Sequence, residues 1–373
     1  MAGANTVGVG AINCAIIARL WYNKVMFRPK FKISETILGN LSRIAEAKAI
    51  IKGAKLIPSR EIFLRRWARV RIAYSSTSIE GNILRADQVE MVSKGKEVRA
   101  EKGQILEVKN YLKALELVDK LTDNDGFEKK EVLCLHKLVM DSLIDEKKVG
   151  SLRNNSVYVV NVLPNGKEKL VYTAPESKMV SSLVDDLISW LKNSDGLHPV
   201  IRAGLLHYQF ETIHPFADGN GRTGRLLSLL HLYQSGWSFN KTLVLEDYYN
   251  NNRKEYFSKL QTGKNYEKRL QVNLTEWLEY YVEGFLMEVL RVEKEVLAVK
   301  FAGKKGLDEG YLKEDEMIII DFVASLGRVT SGDVVDILKI PKRTAQAKLK
   351  LLVDKKVLQR KSSGPATFYV LKV

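Results

Sequence analysis

Cysteine and proline are scarce in this sequence: its 373 residues include two cysteines and eight prolines. Two cysteines, Cys14 and Cys134, are too few for a disulfide framework or a four-thiolate zinc site, and they favour a reducing compartment. Long apolar runs are missing as well, because the mildly apolar stretch 6–20 is short and no basic segment precedes it. We therefore expect a cytoplasmic protein with no signal peptide and no membrane span.

Acidic residues are outnumbered by basic ones, and the formal net charge of +15 suggests a partner that carries phosphate groups. The excess lies near the two ends of the chain. Residues 24–71 hold thirteen basic and three acidic residues, and residues 339–373 hold ten and one, whereas residues 72–338 have a net charge of −5. The sequence therefore does not predict a basic central core.

Helical periodicity dominates the chain, so we predict a mainly α fold. The stretch 156–172 differs and is typical of a β-hairpin, because Asn165 and Gly166 tolerate the positive φ angles of a tight turn. Cys134 is expected to be a small buried side chain of a helix. The helices predicted before residue 302 span residues 35–51 (capped by Ser34), 61–80, 87 onwards, 108–121, 129–143, 177–192, 198–212, 225–234, 249–261 and 274–300.

Four parts are predicted along the chain: an N-terminal helical region (1–100), a central core (101–301), a polar linker containing glycine (302–313) and a C-terminal domain (314–373). In the last part, three predicted helices precede two short strand-like runs. This is the order of elements in a winged helix, a helix-turn-helix variant. The predicted elements span residues 314–326, 331–338, 341–353, 357–360 and 367–371.

The third helix of this C-terminal domain has a basic side, and the two runs after it add further cations. Such a helix suits the major groove of DNA, with phosphate contacts on either side. The alternative is a winged helix that contacts protein or forms a dimer. The residues concerned are Lys342, Arg343, Gln346, Lys350, Arg360 and Lys361.

The most informative segment is HPFADGNGRTGR, residues 214–225, which is typical of a loop that leads into a helix N-terminus. Gly219 and Gly221 allow a ligand to approach the backbone closely, and Asn220 suits the cap position. The first turn of such a helix offers unpaired N–H groups and the positive end of the helix dipole. The segment therefore predicts a site for an anion.

Charged side chains extend this prediction. Arg222 and Arg225 are three residues apart, so both project from one face of the first turn, and two guanidinium groups suit a polyphosphate. Asp218 would be repelled by that anion unless a cation lay between them, which indicates a Mg²⁺ ligand. A neutral His214 beside the site could take a proton from a nucleophile. For any one of these residues, ordinary capping and surface contacts are the alternative.

The same segment resembles the signature of the Fic family, HxFxxGNGRxxR, and matches it at every fixed position. The similarity covers most of residues 60–290. Residues 150–153 lead into a stretch similar to the family's flap, a hairpin that aligns the target side chain, and residues 253–260 resemble the stretch that packs on the adenine. The corresponding contact residues are Val157, Tyr158, Val159 and Val160 in the flap, with Tyr256 and Phe257 at the adenine.

This resemblance implies a Fic-type helical bundle with a β-hairpin flap, and Mg²⁺-dependent transfer of AMP from ATP to a Tyr, Thr or Ser hydroxyl of a protein. His214 would be the general base, and Asp218 would bind Mg²⁺ between the α- and β-phosphates. The other motif residues would bind the nucleotide: Gly219, Asn220 and Gly221 at the α-phosphate, Arg222 at the β-phosphate, Arg225 at the γ-phosphate, and Thr223 and Gly224 beside them.

A second motif precedes this core. Ser76 and Glu80 lie on one face of a predicted helix, and Glu80 is at the C-terminal end, where the helix dipole disfavours a carboxylate. The segment resembles the family's inhibitory motif, [S/T]xxxE[G/N]. By this resemblance Glu80 would pair with Arg225 and occupy the γ-phosphate position. The alternative is an exposed glutamate before a glycine that ends the helix.

We therefore predict a protein adenylyltransferase that is autoinhibited by Glu80. The alternative function is a DNA-binding transcriptional regulator whose Fic domain only senses nucleotide. The expected partners are ATP and a protein hydroxyl, which the chain itself could supply, and a homodimer is compatible with the sequence. The target protein, the modified residue and any removal of AMP stay open.

Overall fold

A computed structural model describes residues 27–54, 58–162, 168–304, 314–361 and 367–372. Helices predominate over strands, so the predicted mainly α class is confirmed. The helices are α1 Glu35–Gly53, α2 Pro58–Ile79, α3 Ala86–Ser93, α4 Lys102–Leu121, α5 Lys129–Met140, α6 Ser177–Lys192, α7 Pro199–Ile213, α8 Asn220–Gln234, α9 Leu245–Asn251, α10 Arg253–Leu260, α11 Tyr266–Arg269, α12 Thr275–Lys304, α13 Glu314–Leu326, α14 Ser331–Leu338 and α15 Lys342–Asp354. The strands are β1 Tyr158–Val162, β2 Glu168–Thr173, β3 Leu358–Lys361 and β4 Phe368–Leu371.

Most predicted helices are present, but one helix boundary and the burial of one side chain differ from the prediction. The helix predicted at 249–261 is two helices, because Asn252 caps α10 by accepting a hydrogen bond from the Glu255 amide. The prediction that Cys134 is buried was wrong: its side chain lies on the exposed side of α5, while Val132 and Leu135 face inward. The predicted Asn165–Gly166 turn, the stretch 6–20 and most of the linker lie outside the described residues.

The chain folds into two compact units. The first contains residues up to Leu38, Ala73–Trp237 and Tyr249–Glu283, and the second contains Gly39–Ile72, Ser238–Tyr248 and Gly284–Val373. The four-part division expected from the sequence stays a prediction. Among the described residues, no helix is long and apolar enough to cross a bilayer.

Two neighbouring helices, α7 and α8, form the centre of the first unit, and nearly every residue in both is buried. Burial on all sides suits a helix in a core rather than on a surface. Surrounding helices supply amphipathic faces. In α6, for example, Val180, Leu183, Val184, Leu187, Ile188 and Leu191 are buried at helical spacing. The loop between α7 and α8 therefore starts and ends in the most constrained part of this unit.

Both ends of that loop have left-handed backbone conformations. His214, which terminates α7, has φ 51°, and Gly219, which precedes α8, has φ 76°. Positive φ is uncommon for a residue with a side chain, although histidine adopts it more readily than most. The turn places the His214 side chain just before the free amides of α8.

Strands β1 and β2 form an antiparallel hairpin with a register irregularity between Val159 and Val160. An isolated hairpin is marginally stable in water, so it needs a surface to pack on. Tyr172 of β2 is fully buried and donates its hydroxyl to the Thr212 carbonyl at 2.5 Å. This bond attaches the hairpin to the end of α7.

Within the second unit, α13, α14, α15 and the β3–β4 hairpin share one apolar cluster, which includes Ile319, Val334, Leu349 and Leu358. Strands β3 and β4 are antiparallel, and Val329 forms a further bridge to Tyr369. Helix α14 begins with a capping box in which Thr330 and Asp333 exchange side chain-to-backbone hydrogen bonds. Residues 314–361 and 367–372 therefore pack three helices and a hairpin around a core of their own.

Candidate active site

The N-terminus of α8 has the free amides expected for an anion site, but its cap differs from the prediction. Gly219 is the N-cap, and Asn220 is the first helical residue. The Asn220 side chain accepts from the Phe216 amide at 2.9 Å and donates to the Phe216 carbonyl at 3.0 Å. The carboxamide therefore closes the loop through its oxygen and one N–H group.

Neither Gly219 nor Gly221 has room for a side chain, and a different neighbour excludes it at each position. A Cβ on Gly219 would lie 2.6 Å from Met140 Sδ, so this glycine permits both the left-handed turn and the packing on α5. A Cβ on Gly221 would lie 2.3 Å from Glu80 Oε1. The Glu80 carboxylate therefore rests on the backbone of the first turn of α8, where an anion is favoured.

Arg225 lies at the centre of a buried cluster, and its side chain is only 1% exposed. Its Nε donates to Ser76 Oγ at 2.8 Å, and its Nη2 donates to the Ser76 carbonyl at 2.9 Å and to Glu80 Oε1 at 2.7 Å. The three residues that the two motifs single out are thus in contact, although 145 residues separate Glu80 from Arg225.

The pKa of Glu80 reflects two opposing effects. Burial alone would raise the pKa, but the guanidinium groups of Arg225 and Arg222 outweigh burial and hold it below the usual value. For Arg225, burial favours the neutral form, yet the Glu80 carboxylate more than compensates and raises the pKa. Both groups are therefore charged at neutral pH.

Arg222 has a carboxylate partner that the sequence did not predict. Its Nη1 donates to Glu107 Oε1 at 2.7 Å, and its Nη2 lies 3.3 Å from Asp218 Oδ1. Glu107 also accepts a hydrogen bond from Asn82 Nδ2 at 2.8 Å. No sequence signal identifies Glu107, because it lies 115 residues from Arg222 on an amphipathic helix with many charges.

Asp218 is the predicted magnesium ligand, and its side chain is 60% exposed beside the start of α8. Its Oδ1 accepts the Gly219 amide. Among the described residues, no three His, Cys, Asp or Glu side chains are grouped to form a metal site. One exposed carboxylate next to the free amides of a helix N-terminus fits Mg²⁺, which binds through one or two carboxylates together with substrate phosphates and water.

His214 is mostly buried, with 19% of its side chain exposed. Burial lowers its pKa to about 4, partly opposed by the Glu211 backbone, so the imidazole is neutral at physiological pH. Nδ1 is fully buried and lies 3.9 Å from Glu211 Oε2. Because Nδ1 is buried, Nε2 is the candidate nitrogen for accepting a proton.

Glu211 is an acidic side chain in the cluster that the sequence prediction missed. Burial raises its pKa to about 7, with a further contribution from the negative charge of Glu80. Its Oε1 is buried and has no hydrogen-bond partner within the described parts of the chain. A single acidic residue in the apolar stretch before His214 is the signal that could have identified it.

Arg153, at the base of the hairpin, was predicted as part of the flap, but its role as an anchor was not. Its side chain donates to four carbonyls, those of His214 at 2.8 Å, Asn155 at 2.9 Å, Pro175 at 2.6 Å and Ile213 at 3.4 Å. Its own amide donates to the Pro215 carbonyl at 2.9 Å. Arg153 is buried, and it connects both strands of the hairpin region to the loop that carries His214.

His136 of α5 is a second anchor of this loop. Its ring stacks on Phe216, with the centroids 3.6 Å apart. Nδ1 accepts from the Gly150 amide at 3.0 Å, so Nε2 carries the proton and donates to the Asp218 carbonyl at 3.0 Å. Burial lowers the His136 pKa to about 4 and keeps the ring neutral. This contact fixes the loop backbone beside the proposed magnesium ligand.

The remaining predicted contact residues differ in exposure. In the flap, Tyr158 is 57% and Val160 is 37% exposed, whereas Val157 and Val159 are half-buried. Tyr256 is buried, and its hydroxyl bonds to His207 Nε2 at 2.8 Å, so it is part of the core.

The last three predicted contact residues are Thr223 and Gly224 of the nucleotide motif and Phe257 of the adenine stretch. The Phe257 side chain is partly exposed. Thr223 is fully buried. A Cβ on Gly224 would lie 2.9 Å from Glu211 Oε1, so both motif positions face the core.

Comparison with known proteins identifies the central segment. Residues 126–232 match the Fic/DOC family. The protein adenylyltransferase Fic of Drosophila mojavensis is 31% identical over 204 residues, which cover 53% of this chain and 36% of that protein. The protein adenylyltransferase fic-1 of Caenorhabditis elegans is 31% identical over 172 residues, covering 44% and 32%. The matched part of this chain thus spans about a third of these relatives.

Solved structures extend the similarity along the chain. A Fic family protein from Desulfovibrio desulfuricans is 26% identical with a TM-score of 0.61, and the match covers 92% of this chain and 98% of that one. The Fic-1 fragment from C. elegans is 20% identical with a TM-score of 0.57, covering 80% of each chain, and it supports the fold alone.

Proposed function

We propose that the chain, whose residues 126–232 match the Fic/DOC family, transfers AMP from ATP to a protein hydroxyl and is autoinhibited by Glu80. One observation carries the proposal: the Glu80 carboxylate lies on the α8 backbone and bonds to Arg225, at the place where free amides and two arginines suit a phosphate. An internal carboxylate in an anion site behaves as a substitute for the ligand.

His214 acts as the general base in this mechanism. A neutral imidazole takes the proton of the target hydroxyl on Nε2 as the hydroxyl oxygen attacks the α-phosphorus of ATP. A new oxygen–phosphorus bond forms, the bond from the α-phosphorus to the bridging oxygen breaks, and pyrophosphate leaves with that electron pair. Because burial holds the His214 pKa at about 4, the base is ready without prior deprotonation.

The other motif residues stabilise charge. The amides of the first turn of α8 face the α-phosphate, while Arg222 and Arg225 hold the β- and γ-phosphates that leave. Asp218 would hold a Mg²⁺ ion that enters with the nucleotide, and the ion would supply positive charge to offset the negative charge of the phosphates. The half-exposed hairpin, attached through Arg153, would align the target segment next to His214.

The proposal is tested with two forms of ATP, one labelled in the α-phosphate and one labelled in the γ-phosphate. We expect the Glu80→Gly protein to become covalently labelled by ATP that carries ³²P in the α-phosphate and to stay unlabelled when the γ-phosphate carries it. Label from the γ-phosphate would instead indicate phosphoryl transfer. If neither form labels the protein or a cell extract, the chain only senses nucleotide and the proposed activity is wrong.

The low pKa of His214 predicts how the rate depends on pH. A base with an ordinary histidine pKa near 6.5 would lose about three quarters of its active form at pH 6. With a pKa of about 4, His214 stays neutral there. In a Glu80→Gly, Glu211→Gln protein, which lacks the neighbouring carboxyl with a pKa of about 7, kcat/KM should therefore be flat between pH 8 and pH 6. Initial rates of auto-modification measure this. A decline centred near pH 6.5 would contradict the assigned environment.

We also propose that residues 314–361 and 367–372 act as a winged helix that binds double-stranded DNA. In α15, Ala345, Leu349 and Leu352 are buried, whereas Lys342 and Lys350 are exposed on the other side. Arg360 and Lys361 of β3 are exposed as well. A basic helix followed by a basic hairpin suits a groove and its flanking phosphates.

Salt dependence tests the DNA contact in the full chain. About four phosphate contacts should reduce affinity for a DNA duplex by roughly 100-fold between 50 and 200 mM salt. The Lys342→Gln, Lys350→Gln variant should bind more weakly with a smaller salt slope. The matched control replaces two exposed lysines of the first unit, Lys102→Gln and Lys147→Gln. Equal losses in both variants, or self-association without DNA binding, would contradict the proposal.

A further inference from the structure

Asn82 follows the turn that carries Glu80, and it is buried in spite of its polar side chain. Its Oδ1 accepts from the Leu84 amide at 3.0 Å, which fixes the orientation of the carboxamide. Its Nδ2 then donates to the Gln104 carbonyl at 3.0 Å and to Glu107 Oε2 at 2.8 Å. The side chain is therefore committed to holding one oxygen of Glu107.

The other oxygen of Glu107 holds Arg222. Oε1 lies 2.7 Å from Arg222 Nη1, and the two side chains are only 15% and 8% exposed. The Nε of Arg222 is buried and has no hydrogen-bond partner within the described residues. An arginine side chain has several rotatable bonds, so a fixed contact at Nη1 determines where its remaining N–H groups point.

We propose that Glu107 and Asn82 are positioning residues: Glu107 orients Arg222 toward the β-phosphate, and Asn82 orients Glu107. This inference rests on the proposed nucleotide transfer at the same site. A cation that is already aligned binds a phosphate without first losing rotamer freedom. Through Asn82, the turn that carries Glu80 thus also supports the second arginine of the site.

The hydrogen-bond pattern of the pair permits a swap experiment. Glu107→Gln leaves an amide that faces Arg222 with its oxygen and Asn82 with its NH₂ group, so two donors meet. Asn82→Asp leaves two carboxylates that face each other without a donor. In the Asn82→Asp, Glu107→Gln double variant, the Gln NH₂ group donates to the Asp carboxylate and the Leu84 amide keeps its acceptor, but the Gln104 carbonyl loses its donor. The bond is restored with reversed polarity.

Binding of ADP and of AMP separates positioning from general stability, because the two nucleotides differ only in the β-phosphate. In the Glu80→Gly background, titration calorimetry should give tighter binding of ADP than of AMP. Each single variant should reduce this preference by about tenfold, while its AMP affinity changes by less than about twofold. The double variant should recover part of the preference, because it restores the bond between residues 82 and 107 but not the bond to the Gln104 carbonyl.

Other outcomes overturn the inference. An unchanged ADP preference in both single variants would show that Glu107 does not act on the β-phosphate. Equal losses for ADP and AMP would indicate a merely structural ion pair, and so would a double variant that is no better than the singles. AMP binding also reports that each variant is folded. If the Glu80→Gly protein binds neither nucleotide, the proposed function itself fails, which is a different result.

Discussion

Glu80→Gly is expected to raise covalent labelling by ATP carrying ³²P in the α-phosphate by about 10- to 100-fold. The substitution removes a carboxylate that lies 2.7 Å from Arg225 Nη2 and against the first turn of α8. A hydrogen bond between charged groups contributes about 1.5–3 kcal/mol, and a nucleotide phosphate must displace it in the wild-type protein. Because the Glu80 pKa is held below its usual value, lowering the pH to 6 should not mimic the substitution.

The measurement is the initial rate of auto-modification at an ATP concentration well below saturation, with Mg²⁺ in excess. A matched control is Glu176→Gly, which removes an exposed glutamate at the N-terminal end of α6, away from Arg225. The control should label at the wild-type rate. If the Glu80→Gly protein and the control label equally, Glu80 is not inhibitory, and its contact with Arg225 only stabilises the fold.

His214→Ala in the Glu80→Gly background is expected to reduce the labelling rate by at least about 100-fold, the usual contribution of a general base. Affinity for ATP should change little, because His214 lies on the α7 side of the loop and the phosphate groups bind at α8. The effect should therefore appear in kcat rather than in KM.

The control for this prediction is His198→Asn. His198 caps α7 through Nδ1, which accepts from the Val200 amide at 3.2 Å, and asparagine can provide the same cap. This variant should keep the labelling rate. Label retained in the His214→Ala protein at a rate within about tenfold of its parent would remove His214 as the base, and Glu211, with its raised pKa, would be the next carboxylate to substitute.

Local patterns predicted much of the fold. The apolar spacing in residues 177–192 places α6 correctly, and Ser34 does cap α1, because its Oγ accepts from the Ile37 amide. Helix ends that depend on a single side chain were harder to predict from the sequence. Asn220 was a plausible cap by residue type, but its carboxamide binds the Phe216 backbone and Gly219 takes the cap position.

The contacts within the site also include some that the sequence predicted and some that it did not. The pairing of Glu80 with Arg225 was expected only because both lie in recognisable motifs. Glu107 and His136 have no such pattern, and the flap resemblance that includes Arg153 does not predict its contacts. The partners of these three residues lie 115, 82 and 61 residues away in the chain. Such pairings arise when helices pack, so a sequence spacing cannot encode them.

The attachment of the hairpin through Arg153 affects which substitutions the site can tolerate during evolution. The guanidinium of Arg153 binds backbone carbonyls, including those of His214, Asn155 and Pro175, rather than side chains. Every residue type offers the same carbonyl, so side chains in the hairpin region can be exchanged without loss of this anchor. With the proposed activity, substitutions in the hairpin would therefore alter which target segment is accepted while His214 stays in place. Such a protein could acquire new targets by substitution in the hairpin, without rebuilding the loop that carries His214.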